Sequence, residues 1–174
     1  FHFASNLTRI YIVSSVDGGV HWDEEAVVEL HSDAREPHFL LMPDNTFVFS
    51  FFQAGTDPLA FEPVTPWRMY YQGPRKWSAP EKWGQAHEVP WQLGVFNGTA
   101  FATSYEGSHY SILNRPDVYV FFNQSTDGRT WTPLNATRPG PNGTTVGGHV
   151  YEGGVSEVGW EFSLDGSFWA VMRN

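Results

Sequence analysis

The segment Arg35-Glu36-Pro37-His38 sets a guanidinium, a carboxylate and an imidazole within four positions. A guanidinium can grip a carboxylate through two parallel N–H bonds, a geometry that lysine cannot supply. It can equally bridge to a carboxylate of its own chain, Glu36 or Glu88, and both readings stand at this stage. Glu36 has counterparts in Glu88 of HEVPW and Glu157 of SEVGW. Repetition of this kind suits a structural task, such as bonding the backbone of a neighbouring sheet, better than catalysis, which needs asymmetry. Substrate binding by Glu36, Glu88, Glu157, His38 and a second guanidinium, Arg173, is the competing reading. Asp57, 22 residues after Arg35 and just before Pro58, is a turn former or a proton donor. Trp91 and Trp160 can stack on a sugar ring, or form a core layer with Phe39. The 7 histidines lack the i, i+4 spacing of a metal site on a helix and there is no cysteine, so neither a catalytic metal nor a cofactor is expected.

These side chains need elements to hold them, and the tryptophans reveal the plan. Trp22, Trp77 and Trp131 recur at intervals of 55 and 54, each after a strand-like run and a turn. In the first turn, SSVDGGVHW, Ser15 and Asp17 can accept backbone N–H bonds, Gly18 or Gly19 can take positive φ, and Trp22 can fold back beneath its strand. RIYIVS before it reads as a strand; DEEAVVEL after it reads equally as a strand or a short helix. Between these marks, 35–52, 87–105 and 156–174 align on Glu36, Glu88 and Glu157, with Phe39, Trp91 and Trp160 three positions later. A hairpin dipeptide follows in each: Asp44-Asn45, Asn97-Gly98 and Asp165-Gly166.

One period is therefore a four-stranded antiparallel meander, as a β-propeller blade requires. The expected fold is all-β: an outer hairpin at 9–30, blades at 35–83 and 87–135, and an inner hairpin at 156–174, within one domain spanning 1–174. Segments 53–66 and 138–155 read as long Gly/Pro-rich loops. That is three blades' worth of strands, a fragment of a ring that we take as six-bladed, with five and seven also compatible. Antiparallel connectivity then separates two faces. The inner turns and the tryptophan-marked turns share one. The other gathers Arg35, Glu36, His38, His87, Glu88 and Glu157 from strand starts, with Gln53, Asp57, Glu106 and Arg173 from strand ends and loops.

A formal net charge of −9 on 174 residues argues against nucleic acid or an anionic membrane as partner. No run is long enough for a membrane-spanning helix, and no signal peptide is visible. Asn6, Asn97, Asn123, Asn135 and Asn142 each open an N-x-S/T sequon, which points to a secreted or cell-surface glycoprotein.

Ser15-x-Asp17-x-Gly19-x-x-Trp22 resembles the Asp box, the repeat of sialidases and related propellers. Ser125-Thr126-Asp127-Gly128-Arg129-Thr130-Trp131 is the same box one residue short, and the Trp77 copy lacks the Asp. Arg35-Glu36-Pro37 followed by LLMPDNTFVFSF is similar to the strand on which sialidases carry the first of three carboxylate-binding arginines, with Glu36 where the family usually has an aliphatic residue. The resemblance implies a structural role for Ser15, Asp17, Gly19, Trp22, Ser125, Asp127, Gly128 and Trp131. It also implies that Arg35 binds a sugar carboxylate and that Asp57 stands in the place of the acid/base aspartate. Sialidases further use a tyrosine nucleophile assisted by a glutamate, for which this chain offers no matching motif. Two functions follow as expectations: an exo-glycosidase acting on terminal acidic sugars, or a non-catalytic propeller that binds glycans and glycoproteins or builds an extracellular assembly.

Overall fold

The computed structural model describes residues 8–56, 63–106, 118–134, 137–139, 145–147, 149–152 and 156–173. The fold is all-β, with several antiparallel sheets, none of them closed, and no helix among the described residues. β1 (Arg9–Ser14) and β2 (Asp23–Glu29) form a hairpin sheet. The first large sheet runs β3 (Asp33–Leu41), β4 (Phe47–Ala54) and β5 (Pro63–Gly73), with β6 (Lys76–Trp77) and β7 (Glu81–Lys82) both on β5's far edge. The second runs β8 (Val89–Phe96), β9 (Thr99–Glu106), β10 (Tyr119–Ser125) and β11 (Thr132–Pro133). β12 (Thr137–Pro139) pairs with β13 (Thr145–Gly147), and β14 (His149–Glu152) joins β10. β15 (Ser156–Phe162) and β16 (Phe168–Arg173) close the chain order as a second hairpin sheet.

DEEAVVEL resolves as strand β2, because alternation leaves Val28 buried against Ile12, Phe49 and Phe51. The four main sheets stack in chain order: β1 against β3, β3 against β8, and β15 against β8 and β9. Three apolar layers fill the gaps. Ile12, Val28, Phe49, Phe51 and Met69 sit in the first, Leu40, Met42, Val48 and Ala100 in the second, and Phe52, Val89, Val120, Phe122, Val158 and Trp160 in the third. Runs such as FVFSFF in β4 are buried on both faces because a neighbour covers each.

The two serine–aspartate turns close alike. Ser15 Oγ accepts the Gly19 amide at 2.8 Å, and Asp17 Oδ1 accepts those of Val20 and His21 at 3.0 and 2.9 Å. Ser125 Oγ accepts the Gly128 amide at 2.9 Å, and Asp127 Oδ1 those of Arg129 and Thr130 at 2.7 Å each. Gly18, Gly19 and Gly128 all have positive φ. Trp22 corrects an expectation: it is 62% exposed, held by Nε1 donating to the Gly19 carbonyl at 3.0 Å, and does not fold beneath its strand. The amide bond from His21, followed by the bond from its ring, is the largest of the causes that hold the Asp17 carboxyl down at about 2, and Asp127 is also well below its usual range. A depressed carboxyl contributes stability present above its unfolded pKa and lost as pH falls through the folded one. Asp17→Asn is therefore expected to lower the melting temperature at pH 7. The gap from the parent should narrow as pH falls from about 4 to about 2, as calorimetry over that range would check.

Turn length breaks the repeat's register. Asn97 and Gly98, both at positive φ, make a two-residue turn. The first and last inner hairpins instead use three residues ending in left-handed Asn45 or Gly166, closed by Met42–Thr46 and Ser163–Ser167 bonds. Counted back from the closing residues Met42, Phe96 and Ser163, the position of Phe39 and Trp160 is held by Leu93, not Trp91. That of Glu36 and Glu157 is held by Pro90, not Glu88. The sequence alignment on three glutamates thus holds for two of them. Phe39 is 48% exposed and so forms no core layer here, whereas Trp160 is buried.

Candidate functional site

Glu36 at the start of β3 lies in electrostatic reach of its neighbour Arg35 and of Glu157 at the start of β15, and Glu157 meets Arg173 at the end of β16. Glu36 and Glu157 occupy matching bulges with φ of 47° and 55°, where each strand carries one residue more than its partner. Burial pushes the half-buried Glu36 carboxyl up, the charge of Glu157 adds to this, and Arg35 opposes it. Glu157 is itself paired with Arg173.

Arg35 bridges to neither Glu36 nor Glu88 but to Asp33, two residues earlier. Its Nε and Nη2 donate to Asp33 Oδ2 at 2.8 and 2.5 Å, and Thr8 Oγ1 donates to Oδ1 at 3.0 Å. The Asp33 side chain is 3% exposed, against 20% for Arg35. A buried carboxylate thus anchors a guanidinium that reaches the surface, a charge-assisted arrangement that fixes the cation's direction. The signal was available in the sequence: residues two apart share a face of a strand.

His38 lies beside this cluster in β3, its pKa lowered by burial, and its Nε2 finds no partner among the described residues. It therefore favours the neutral ring. Gln53 is engaged from the side, its Oε1 accepting Trp67 Nε1 at 3.1 Å. Glu106 ends β9, and His87 is exposed with φ of 67°. Asp57 lies outside the described residues, as do Asn6, Asn135 and Asn142. Asn97 is exposed at its turn, and Asn123 is half-buried in β10, flanked by β9 and β11.

Glu88 does not join the cluster. It is 4% exposed, accepting the Ser104 hydroxyl on Oε1 and the Gln85 amide on Oε2 at 2.7 Å, beneath a cleft of about 320 Å³ between the two large sheets. Burial raises its pKa, and those two bonds oppose the rise. The inter-sheet backbone bonding expected of the glutamates is carried by other residues. Gln92 accepts the Trp160 amide and donates to the Trp160 carbonyl, both at 2.9 Å, and Thr103 Oγ1 donates to the Val158 carbonyl at 2.8 Å. Trp91 sits at the β8 bulge, its ring 6.3 Å from that of Tyr105.

Among the described residues no group of three or more His, Asp or Glu is placed to hold a metal ion, and no helix is long and apolar enough to cross a membrane. Set against models of protein families and against curated proteins, the chain matches none. The cluster thus sets two carboxylate-paired guanidinium groups beside two carboxyls, of which Glu36 is biased toward holding a proton.

Proposed function

We propose that this chain is part of a sialidase-like β-propeller in an extracellular glycoprotein, holding a terminal acidic sugar at the starts of its inner strands. The observation that carries the reading is Arg35 anchored on buried Asp33, beside Glu36 and Glu157. The four-strand order completed twice, the stacking through inner strands and the matched Ser–Asp turns support a propeller whose blades are the large sheets. Arg35 then contacts the sugar carboxylate, and hydrolysis proceeds through an oxocarbenium-like transition state with an acid protonating the leaving oxygen. Asp57 is the family's counterpart for that acid. A second reading, a glycan-binding propeller without catalysis, is favoured by one observation: both cluster arginines already have carboxylate partners, Asp33 and Glu157.

The test is hydrolysis of a fluorogenic sialoside by the protein and by Arg35→Ala matched for thermal stability. Removing one charge-assisted double contact should lower kcat/KM by about 100-fold, equivalent to about 2.7 kcal/mol. Turnover that survives the substitution sinks Arg35 as the carboxylate ligand. Binding of an immobilised sialoside without turnover by either protein, across about pH 4 to 8, supports the second reading.

A further inference from the structure

The cleft above Glu88 is walled by the outer strands of the two large sheets: Arg68 stands in β5, Asn123 in β10 and Pro133 in β11. Two of its larger side chains are engaged by the fold itself. Trp83 is 8% exposed and its Nε1 donates to the Trp67 carbonyl at 3.2 Å, while Arg68 is held by Glu81 and by the Arg129 carbonyl. Trp131 and Arg129 are placed differently. The half-buried Trp131 ring stands 5.5 Å from that of Trp83, and the exposed Arg129 guanidinium lies 4.1 Å over the Tyr70 ring. Among the described residues neither the Trp131 indole N–H nor the Arg129 guanidinium has a hydrogen-bond acceptor.

Asn123 lines the same space and opens the sequon Asn123-Gln124-Ser125. It is half-buried, and its outer neighbour is the two-residue β11, where it faces Pro133, so the way out past the sheet edge is short. The sequon serine belongs to a closed turn. Ser125 is 3% exposed, donating to Asp127 Oδ1 and accepting the Gly128 amide, both at 2.9 Å. Once that turn has formed, the Ser125 hydroxyl is no longer open to a transferase. A sugar on Asn123 is therefore attached to the unfolded chain, and the folded chain must house it.

We propose that this cleft seats the first N-acetylglucosamine of a glycan carried on Asn123, with the ring packed on Trp131 and its oxygens accepting from Arg129. The inference rests on the reading of the chain as a secreted glycoprotein. Attachment joins C1 of the sugar to Asn123 Nδ2, breaks the C1–O bond to the diphosphate of a lipid-linked oligosaccharide donor, and releases one amide proton. The cleft suits what is then tethered there. A pyranose has an apolar face of C–H bonds and a rim of oxygens; an indole offers a flat apolar surface with one N–H, and a guanidinium offers a fork of donors. At about 320 Å³ the space is at the small end of ligand sites, which run from about 300 to 1,000 Å³. A sugar in that place fills the gap between the outer strands where no protein side chain does. A free saccharide would have to displace the one that Asn123 holds at the same wall.

Glycopeptide mass spectrometry of the protein secreted from a eukaryotic host should find Asn123 occupied together with Asn97, which is exposed at its turn. Peptide:N-glycosidase acting on the native protein should release the Asn97 sugar about tenfold faster than that of Asn123, and unfolding in urea should abolish the difference. Half-burial of the linkage alone would also slow release, so two variants decide whether the ring is seated. Arg129→Ala, at an exposed side chain, and Trp131→Leu, which keeps an apolar group in the packing, should each speed release at Asn123 and leave Asn97 as it was. Unchanged rates in both overturn the proposal. So does a bare Asn123 in a protein glycosylated at Asn97, which leaves the glycoprotein reading standing. A protein with no sugar at any sequon removes that reading and the proposal with it.

Discussion

Replacing Glu88 with alanine should destabilise the protein by about 2–4 kcal/mol, because two groups that it satisfies would be left without an acceptor. Its carboxylate takes the Ser104 hydroxyl and the Gln85 amide at a site 4% exposed. The surroundings cannot collapse onto the gap easily: Gly84 is held at φ of 65°, and a Cβ there would stand 2.7 Å from Glu88 Oε2. For a chain of this length the loss corresponds to a fall in Tm of roughly 4–16 °C. Glu88→Gln keeps an acceptor and the shape, and it should recover most of the loss. The pH dependence separates the two further. A carboxyl raised by burial contributes stability fully present below its ordinary pKa, near 4.5, and lost as pH rises through the folded value. The parent should therefore weaken relative to Glu88→Gln between about pH 4.5 and 8, as thermal melts across that range would reveal. Sialoside binding per folded molecule should be the same in both. A Glu88→Ala protein that melts with the parent but binds sugar poorly would return Glu88 to the site.

The misplacement of Glu88 in the sequence reading has a definite physical source. Asn97-Gly98 announced a hairpin, and the hairpin is there, but a dipeptide does not say whether the loop holds two residues or three. Asn97 follows Glu88 by nine residues where Asp44 and Asp165 follow their glutamates by eight, and the turn is one residue shorter, so together Glu88 and Trp91 slide two positions relative to Glu36 and Phe39. Two is the side-chain period of a strand, so the apolar pattern stays plausible and gives no warning. The serine–aspartate turns were legible because their chemistry is local: an oxygen bonded to amides two to four residues on needs no tertiary information. The alternation in β2 was too short to exclude a helix until β1 lay beside it. The strand that carries Arg35 was legible, and its partner Asp33, two residues back on the same strand face, was passed over because it lies outside the Arg-Glu-Pro motif. Gln92 and Thr103 went unnoticed because nothing in their spacing distinguishes an amide or hydroxyl aimed at the next sheet from one aimed at water.

Trp160 is the residue whose removal separates a core role from a sugar platform most sharply. Its ring is 8% exposed, with its centroid 6.0, 5.7 and 5.8 Å from those of Phe101, Phe162 and Phe168. Gly94 makes room for it: a Cβ there would come within 2.9 Å of the Trp160 ring. Trp160→Ala should therefore cost about 3–5 kcal/mol, the scale for emptying an aromatic site in a packed layer. Urea denaturation would show this as a lower midpoint with little change in slope. Trp160→Phe should cost less, since the Gln92 amide grips the backbone at this position and survives the change. Gly94→Ala presses on the same ring from the opposite sheet, so Trp160→Phe should relieve it, and the two substitutions together should destabilise less than their sum. That coupling is the decisive reading, because it exists only if the indole fills the gap between the second large sheet and β15–β16. A tryptophan that stacked on sugar would behave oppositely, with affinity falling, the midpoint holding, and Gly94→Ala adding independently.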